Sequence, residues 1–376
     1  MSWRILWAAP AAVAGCYYGL ALLAALRQGR GRAPNGVATQ GVSVMKPVYG
    51  WDDRLTQAIA SHALQKYPEF ELLLGVRDSD TRALEEIRRA QLLFPDCAIR
   101  IVPVTTVMPN GKAGSLFDLA AVARYPILVI NDADIVVEED YLQKVVAALQ
   151  DPGIGLVTAL YRATAASEPA HFEALGVATE FVPSVLVARL LGVAEFALGS
   201  TMAVRASDLE RIGGFRVIAD YLADDYQLGL RITQLGLHVA FADTVVETTL
   251  GAGNWGEVWR HQVRWSRTIR VSRASGYYGY IVTQATFWAI LAAAAGFWGT
   301  AVAAIALRMA AGVAAAGGVL RDGASVARWW LIPLRDLFGF GVWLTASVGR
   351  TVEWGGMRLL LTADGRIRTE GKRTGD

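Results

Sequence analysis

Ile127-Leu128-Val129-Ile130-Asn131-Asp132-Ala133-Asp134 is the stretch on which the fold turns. Four aliphatic residues end abruptly in two carboxylates one residue apart. A short apolar run bounded by Pro126 and an acidic cluster reads as a strand buried on both faces of a parallel sheet. The carboxylates then stand at its carboxyl end, where open α/β sheets bind ligands. Two carboxylates there repel each other unless a cation lies between them, and a divalent metal holding a diphosphate suits that place. Taken alone, Asp-x-Asp fits a turn or a helix start equally well, because Asp is common in turns.

The preceding sequence repeats the pattern. Val42–Val48 reads as a strand, about 53–66 as a helix, and Phe70–Val76 as a strand ending in Arg77-Asp78-Ser79-Asp80. A helix over Arg82–Phe94, a strand over Ala98–Val104 and a helix over Ala113–Ala123 follow. Such alternation predicts a parallel sheet with right-handed crossovers. Asp78/Asp80 and Asp132/Asp134 would then share one sheet edge, which argues against a turn-only role for either.

Further on, Ile154–Leu160 and Phe196–Arg205 are strand-like, the latter with a small-residue centre at Gly199-Ser200 that lets a ligand approach the backbone. Between them, His171–Val193 is apolar and helical, interrupted by Pro183. It reads either as a core helix pair or as an interfacial element beside a bilayer. Leu222-Ala223-Asp224-Asp225-Tyr226 precedes a helix over Gln227–Leu235. Capping accounts for one of those acids, hardly for both. Val239–Thr248 is a strand. Trp255–Arg273 is a basic, aromatic helix in which Arg264 and Trp265 suit phosphate binding and ring stacking. Arg260, Arg267 and Arg270 suit lipid headgroups.

The ends of the chain are of another character. With 53% hydrophobic and 19% charged residues the composition points to membrane segments, and a net charge of +2 carries no nucleic-acid signature. Trp3–Leu26 is long enough, at 1.5 Å per residue, to cross a hydrocarbon layer of ~30 Å. With Arg27, Arg30 and Arg32 behind it, it reads as a signal anchor that leaves residue 27 onward in the cytoplasm. Ile281–Leu307 reads as a span, and residues 281–320 as one span plus a loop or as a hairpin of two. In a hairpin Arg308 falls inside the second helix, a costly place unless it snorkels. Trp329–Val348 is apolar except for Arg335 and Asp336, which either pair with each other or mark an interfacial segment. The two cysteines, Cys16 and Cys97, do not suggest a disulfide, and the four histidines show no metal-ligand spacing.

These motifs, in this order and between membrane anchors, resemble the inverting glycosyltransferases of the GT-A fold. The resemblance is to the ceramide glucosyltransferase group and its bacterial relatives that glycosylate hopanoids. It covers nearly the whole chain, including the Pro333-Leu334-Arg335-Asp336 and Val352-Glu353-Trp354 runs. It implies an α/β GT-A nucleotide-sugar-binding domain over residues 33–273, an anchor over 1–32, and a membrane region with a basic tail over 274–376. It also implies a multi-pass membrane protein, in the bacterial inner membrane for the bacterial branch, with its catalytic domain in the cytoplasm. Asp78 or Asp80 would contact the nucleoside of a UDP-sugar. Asp132 and Asp134 would hold Mg²⁺ or Mn²⁺ against the diphosphate, with Lys112 also meeting the nucleotide. Asp225 would be the general base, and Arg264 and Trp265 would close over diphosphate and acceptor. His261 stands where the family has Gln or Arg, which is similar to the bacterial branch and to GlcNAc transfer onto a hopanoid polyol. The run Gly111-Lys112-Ala113-Gly114-Ser115 is closer to polysaccharide synthases, so a ceramide, a hopanoid and a growing polymer all stay open as acceptors. A non-catalytic membrane scaffold is the reading of another class; acids at every expected position argue against it.

Overall fold

The computed structural model describes residues 2–28, 38–50, 54–193, 195–251, 253–354 and 357–369. Arg30, Arg32, position 53 at the start of the expected first helix and the tail beyond 369 lie outside them. The chain forms two compact units: Arg32–Tyr161 with Ala194–Thr249, and Met1–Gly31 with Arg162–Val193 and Leu250–Asp376.

The first unit is built on a seven-stranded sheet with strands β1 (Val42–Pro47), β2 (Phe70–Val76), β3 (Ala98–Pro103), β4 (Ile127–Ile130), β5 (Ile154–Ala165), β6 (Met202–Arg205) and β7 (His238–Leu250). Their order is β3-β2-β1-β4-β6-β5-β7. β1 pairs in parallel with both β2 and β4, and β2 with β3. The strand order reverses between β1 and β4, the point at which such sheets open a crevice at their carboxyl ends. Asp78/Asp80 after β2 and Asp132/Asp134 after β4 therefore lie along one edge, with β1 between them.

The apolar run of β4 is continuous because both its faces are covered. Ile127 and Val129 enter one core cluster, with Val44, Leu72 and Val246. Leu128 and Ile130 enter the other, with Met45, Leu116 and Val204. Each such buried side chain contributes about 1.5–3 kcal/mol. The all-parallel expectation fails beyond β4, for β6 runs antiparallel to both β4 and β5. A parallel partner requires the chain to be carried back to its starting edge. The chain instead returns so that β6 pairs antiparallel with β5. The expected strand Phe196–Arg205 is shorter for a related reason: Gly199 and Ser200 form a turn closed by the Leu198–Thr201 bridge, and regular pairing starts at Met202.

In the second unit, three helical stretches are long and apolar enough to cross a membrane: Ala8–Gln28, Glu168–Leu190 and Trp298–Val319. The middle one carries straight through Pro183 by way of a π-turn over Val177–Phe181. Proline has no amide to reach the carbonyl four residues back. That carbonyl, on Thr179, accepts from Arg308 Nη1 at 2.8 Å. Ile281–Leu307 is not one span. A helix over Ala285–Ala294 stops at Gly296, whose φ of +91° suits a residue without Cβ, and a second starts at Trp298.

Arg308 does not snorkel. It is fully buried and grips Asp336 through Nη2 to Oδ1 (2.7 Å) and Nε to Oδ2 (3.1 Å). Thr286 Oγ1 donates to the same carboxylate at 2.7 Å. Arg335 and Asp336 therefore do not pair with each other. Adjacent residues on a helix point about 100° apart, and each finds a different neighbour. After the helix Ile332–Ala346, a small antiparallel sheet of β8 (Thr351–Trp354), β9 (Met357–Leu361) and β10 (Ile367–Thr369) occupies what the sequence presents only as a polar tail.

Candidate active site

The acids of the first unit gather around one lysine. Lys112 stands in the first turn of the helix Gly111–Val122, whose N-terminus is capped by Asn110 Oδ1 accepting from Ala113 N at 3.2 Å. Asn110 also donates through Nδ2 to Tyr221 O at 2.7 Å, tying this helix start to the chain just before Asp224. Gly114 is there for packing: a Cβ would lie 2.8 Å from the carbonyl of Thr106. Lys112 Nζ then lies 2.7 Å from Asp132 Oδ1 and 3.5 Å from Asp224 Oδ2. Burial alone would lower the lysine's pKa, but Asp132 and Asp224 hold it well above the ordinary range. It remains a cation.

Asp225 is the second residue of the helix Asp224–Gln234. Its Oδ2 accepts from Gly199 N at 3.1 Å and its Oδ1 from Tyr226 N at 2.7 Å. The small-residue turn thus presents an amide to this carboxylate. Burial and the neighbouring Asp224 push Asp225 up to about 6, against the pull of Lys112. A carboxylate so tuned is ionised at neutral pH yet far more basic than an exposed one, as a general base requires.

Asp134 is fixed by Thr248 Oγ1 (2.6 Å) and Thr249 N (2.8 Å), both onto its Oδ2. Among the described residues, Oδ2 of Asp132 and Oδ1 of Asp134 make no hydrogen bond. No group of three or more His, Cys, Asp or Glu side chains of metal-binding geometry occurs among them either. Two carboxylate oxygens nonetheless fit Mg²⁺ or Mn²⁺, hard ions that complete their shells with phosphate and water rather than a protein cage. Asp78 is exposed and Asp80 half-buried beyond β2, apart from this cluster in the ladder by the width of β1.

Several supporting residues were not singled out from sequence. Lys46, on β1, is fully buried, donates to Ile135 O at 3.2 Å, and is lowered to about 7 by burial against the opposing pull of Asp134 and Asp132. Its signal was a lone lysine inside an apolar strand. Asn131 donates through Nδ2 to Ser200 O (2.8 Å) and Tyr141 OH (2.9 Å), and its Oδ1 lies 3.3 Å from His62 Nε2. It anchors the backbone from which Asp132 projects.

His261, Arg264 and Trp265 belong to the second unit, on the helix Trp255–Ser272. His261 Nδ1 lies 2.6 Å from Glu173 Oε1, which also accepts from Gln262 Nε2 at 2.8 Å. The His261 and Trp265 rings are 4.3 Å apart, so Glu173 orients the histidine against the tryptophan. The Arg264 guanidinium, half-buried, makes no hydrogen bond or ion pair among the described residues. Five unspent donors on a fixed cation suit an anionic ligand.

A family model described as glycosyl transferase family 21 matches residues 6–367. The chain belongs to this family. Within family 21 terms, ceramide glucosyltransferase 1 of Caenorhabditis elegans is 28% identical over 205 residues, 54% of this chain and 44% of that protein. The probable glycosyltransferase YdaM of Bacillus subtilis (strain 168) is 24% identical over 60% of this chain and 54% of its own length. This family 21 chain thus spans about half the length of the curated relatives it matches. Among solved structures, the mannosyltransferase PcManGT from Pyrobaculum calidifontis, in complex with GDP-Man and Mn²⁺, superposes with a TM-score of 0.56 at 21% identity. The likeness covers 91% of this chain and 99% of that one, and it establishes the GT-A fold for this family 21 member.

Proposed function

We propose that this protein is an inverting lipid glycosyltransferase that moves one sugar, glucose or GlcNAc, from a UDP-sugar to a hydroxyl of a membrane lipid, a hopanoid polyol or a ceramide. The observation that carries the reading is Asp225, a carboxylate raised to about 6 beside the acids at the crevice end of the sheet. Asp225 takes the proton of the acceptor hydroxyl as that oxygen bonds to the anomeric carbon. The bond from that carbon to the UDP oxygen breaks on the opposite side, and the configuration inverts. Asp132 and Asp134 are the residues that would hold a divalent cation, whose charge, when bound, offsets that of the diphosphate.

Lys112 keeps Asp132 and Asp224 compensated and lowers Asp225 enough for it to be ionised at neutral pH. Arg264 is assigned to the donor's phosphates, because its guanidinium is half-buried with every donor unspent. Trp265 is assigned to the acceptor side, and Asp78 or Asp80 to the nucleoside. Membrane-capable helices and ceramide glucosyltransferase relatives support a lipid acceptor. The catalytic unit faces the cytoplasm in this reading, as the anchor and the basic residue Arg27 behind it indicate. Membranes containing the full chain, incubated with labelled UDP-sugars and each candidate lipid, should yield one labelled monoglycosylated lipid. Label in a polymer, or in no lipid from any donor, would refute the assignment.

A further inference from the structure

A chain of contacts in the second unit fixes which nitrogen of His261 carries hydrogen. Arg335 Nη2, which can only donate, meets Gln262 Oε1 at 2.8 Å. That contact orients the Gln262 amide, so Nε2 is the atom that donates to Glu173 Oε1, at 2.8 Å. Glu173 stands on the helix Glu168–Gly176 with its side chain fully buried. Its Oε1 is also 2.6 Å from His261 Nδ1. An ionised carboxylate only accepts, so the hydrogen between them sits on Nδ1. In a neutral imidazole the other nitrogen, Nε2, is then a bare acceptor. Nε2 makes no hydrogen bond among the described residues, and the His261 side chain is 28% exposed.

His261 and Arg264 are three residues apart on the helix Trp255–Ser272, a spacing that makes side chains neighbours on one face. Their hydrogen-bonding characters are opposite. Arg264 only donates, which suits phosphate oxygens. Nε2 of this tautomer only accepts, which a phosphate oxygen cannot answer and a hydroxyl can. The His261 ring lies 4.3 Å from that of Trp265, and Trp265 lines a cavity of about 170 Å³ together with the apolar Phe181, Ile269 and Val342. A hydroxyl carried on an apolar body suits that side of the ring better than one on a nucleotide.

We propose that Glu173 is a positioning residue: it holds His261 in the Nδ1–H tautomer, so that Nε2 accepts a hydrogen bond from the hydroxyl of the lipid acceptor. His261 takes no proton in this arrangement, and Asp225 stays the assigned base. The ligand rests on the lipid-transferase reading; the tautomer does not.

Solid-state ¹⁵N spectra of the full chain in bilayers, labelled only at its four histidines, read the tautomer directly. His261→Gln assigns the signals by their loss. At about pH 8, where an ordinary imidazole is neutral, Nδ1 of His261 should be protonated and Nε2 bare. A protonated Nε2 with a bare Nδ1 would put the shared hydrogen on Glu173 and overturn the proposal. Glu173→Gln keeps an acceptor oxygen and should keep the tautomer, whereas Glu173→Leu should lose it. An unchanged tautomer in Glu173→Leu would overturn the role of Glu173. Should Glu173→Leu not fold, the spectrum of the unsubstituted chain decides. With UDP bound, a long-chain N-acyl amino diol or a long-chain polyol should move the Nε2 signal upfield; UDP or UDP-glucose alone should not. A shift with either nucleotide alone, or none with both lipids, would overturn the ligand assignment. Glu173→Leu should weaken binding of the lipid that moves the signal by about two- to tenfold, the worth of one hydrogen bond, and Glu173→Gln should restore it. The expected tautomer and lipid shift without sugar transfer to any lipid would count against the proposed activity and leave this assignment standing.

Discussion

Lys112 Nζ lies 2.7 Å from Asp132 Oδ1, so the acid expected to receive a metal already carries a cationic partner from the chain itself. The same ammonium is 3.5 Å from Asp224 Oδ2 and is among the charges that lower Asp225. One lysine thereby couples the two acidic runs, which are far apart in sequence.

That coupling sets the pH dependence. As the proposed base, Asp225 would act when ionised, so kcat/KM should fall as pH drops through about 6. Lys112→Gln removes a charge that favours the ionised form, so the acidic limb should move to higher pH. The variant should lose more activity at pH 6 than at pH 8. A limb at the same pH in both proteins would show that Lys112 does not tune the base.

Arg308 and Asp336 form a fully buried pair in the second unit. Removing one partner strands the other charge, at a cost of about 3–5 kcal/mol. Arg308→Met should lower the unfolding midpoint in detergent sharply, and adding Asp336→Leu should recover much of the loss. If the double variant were no more stable than the single, the charge pairing would not be the source of the effect.

His62, buried against Ala58 O at 2.8 Å, is lowered from 6.5 to about 3 by burial and by the nearby Lys46. The unfolded chain binds its proton first. The stability that neutral His62 provides is thus fully present above pH 6.5 and is lost as pH falls from there toward 3. The slope from this group is at most about 1.4 kcal/mol per pH unit. Thermal melts of the unsubstituted chain and of His62→Gln between pH 7 and pH 4 should diverge accordingly, with the variant the less pH-sensitive.

What could be read in advance depended on how local each signal was. Ile127–Ile130 announced a doubly buried strand because residues alternating between two covered faces are all apolar. The shared edge of Asp78 and Asp132 followed from parallel pairing through β1. The direction of β6 was not readable, since a short apolar run looks the same in either orientation and only the path of residues 166–201 sets it. Arg308 and Asp336, 28 residues apart, each looked like a misplaced charge; their pairing depends on how helices pack. Lys112 was noticed for its glycine-flanked setting, but its contact with Asp132 and Asp224 needs three separate elements to meet. His261 showed its departure from the family motif plainly, while its partner Glu173 lay hidden in an apolar helix.

The assignment of Asp225 as the base is tested most directly by Asp225→Asn, measured as sugar transfer to lipid alongside UDP binding and thermal stability. The amide keeps the shape but has one acceptor oxygen for the two amides, of Gly199 and Tyr226, that the carboxylate accepts from, and it cannot take a proton. Turnover should fall by about 10²–10⁴ while UDP affinity stays within a few-fold and the chain still unfolds cooperatively. Turnover within a few-fold of the unsubstituted chain would contradict the assignment and place the proton with another group.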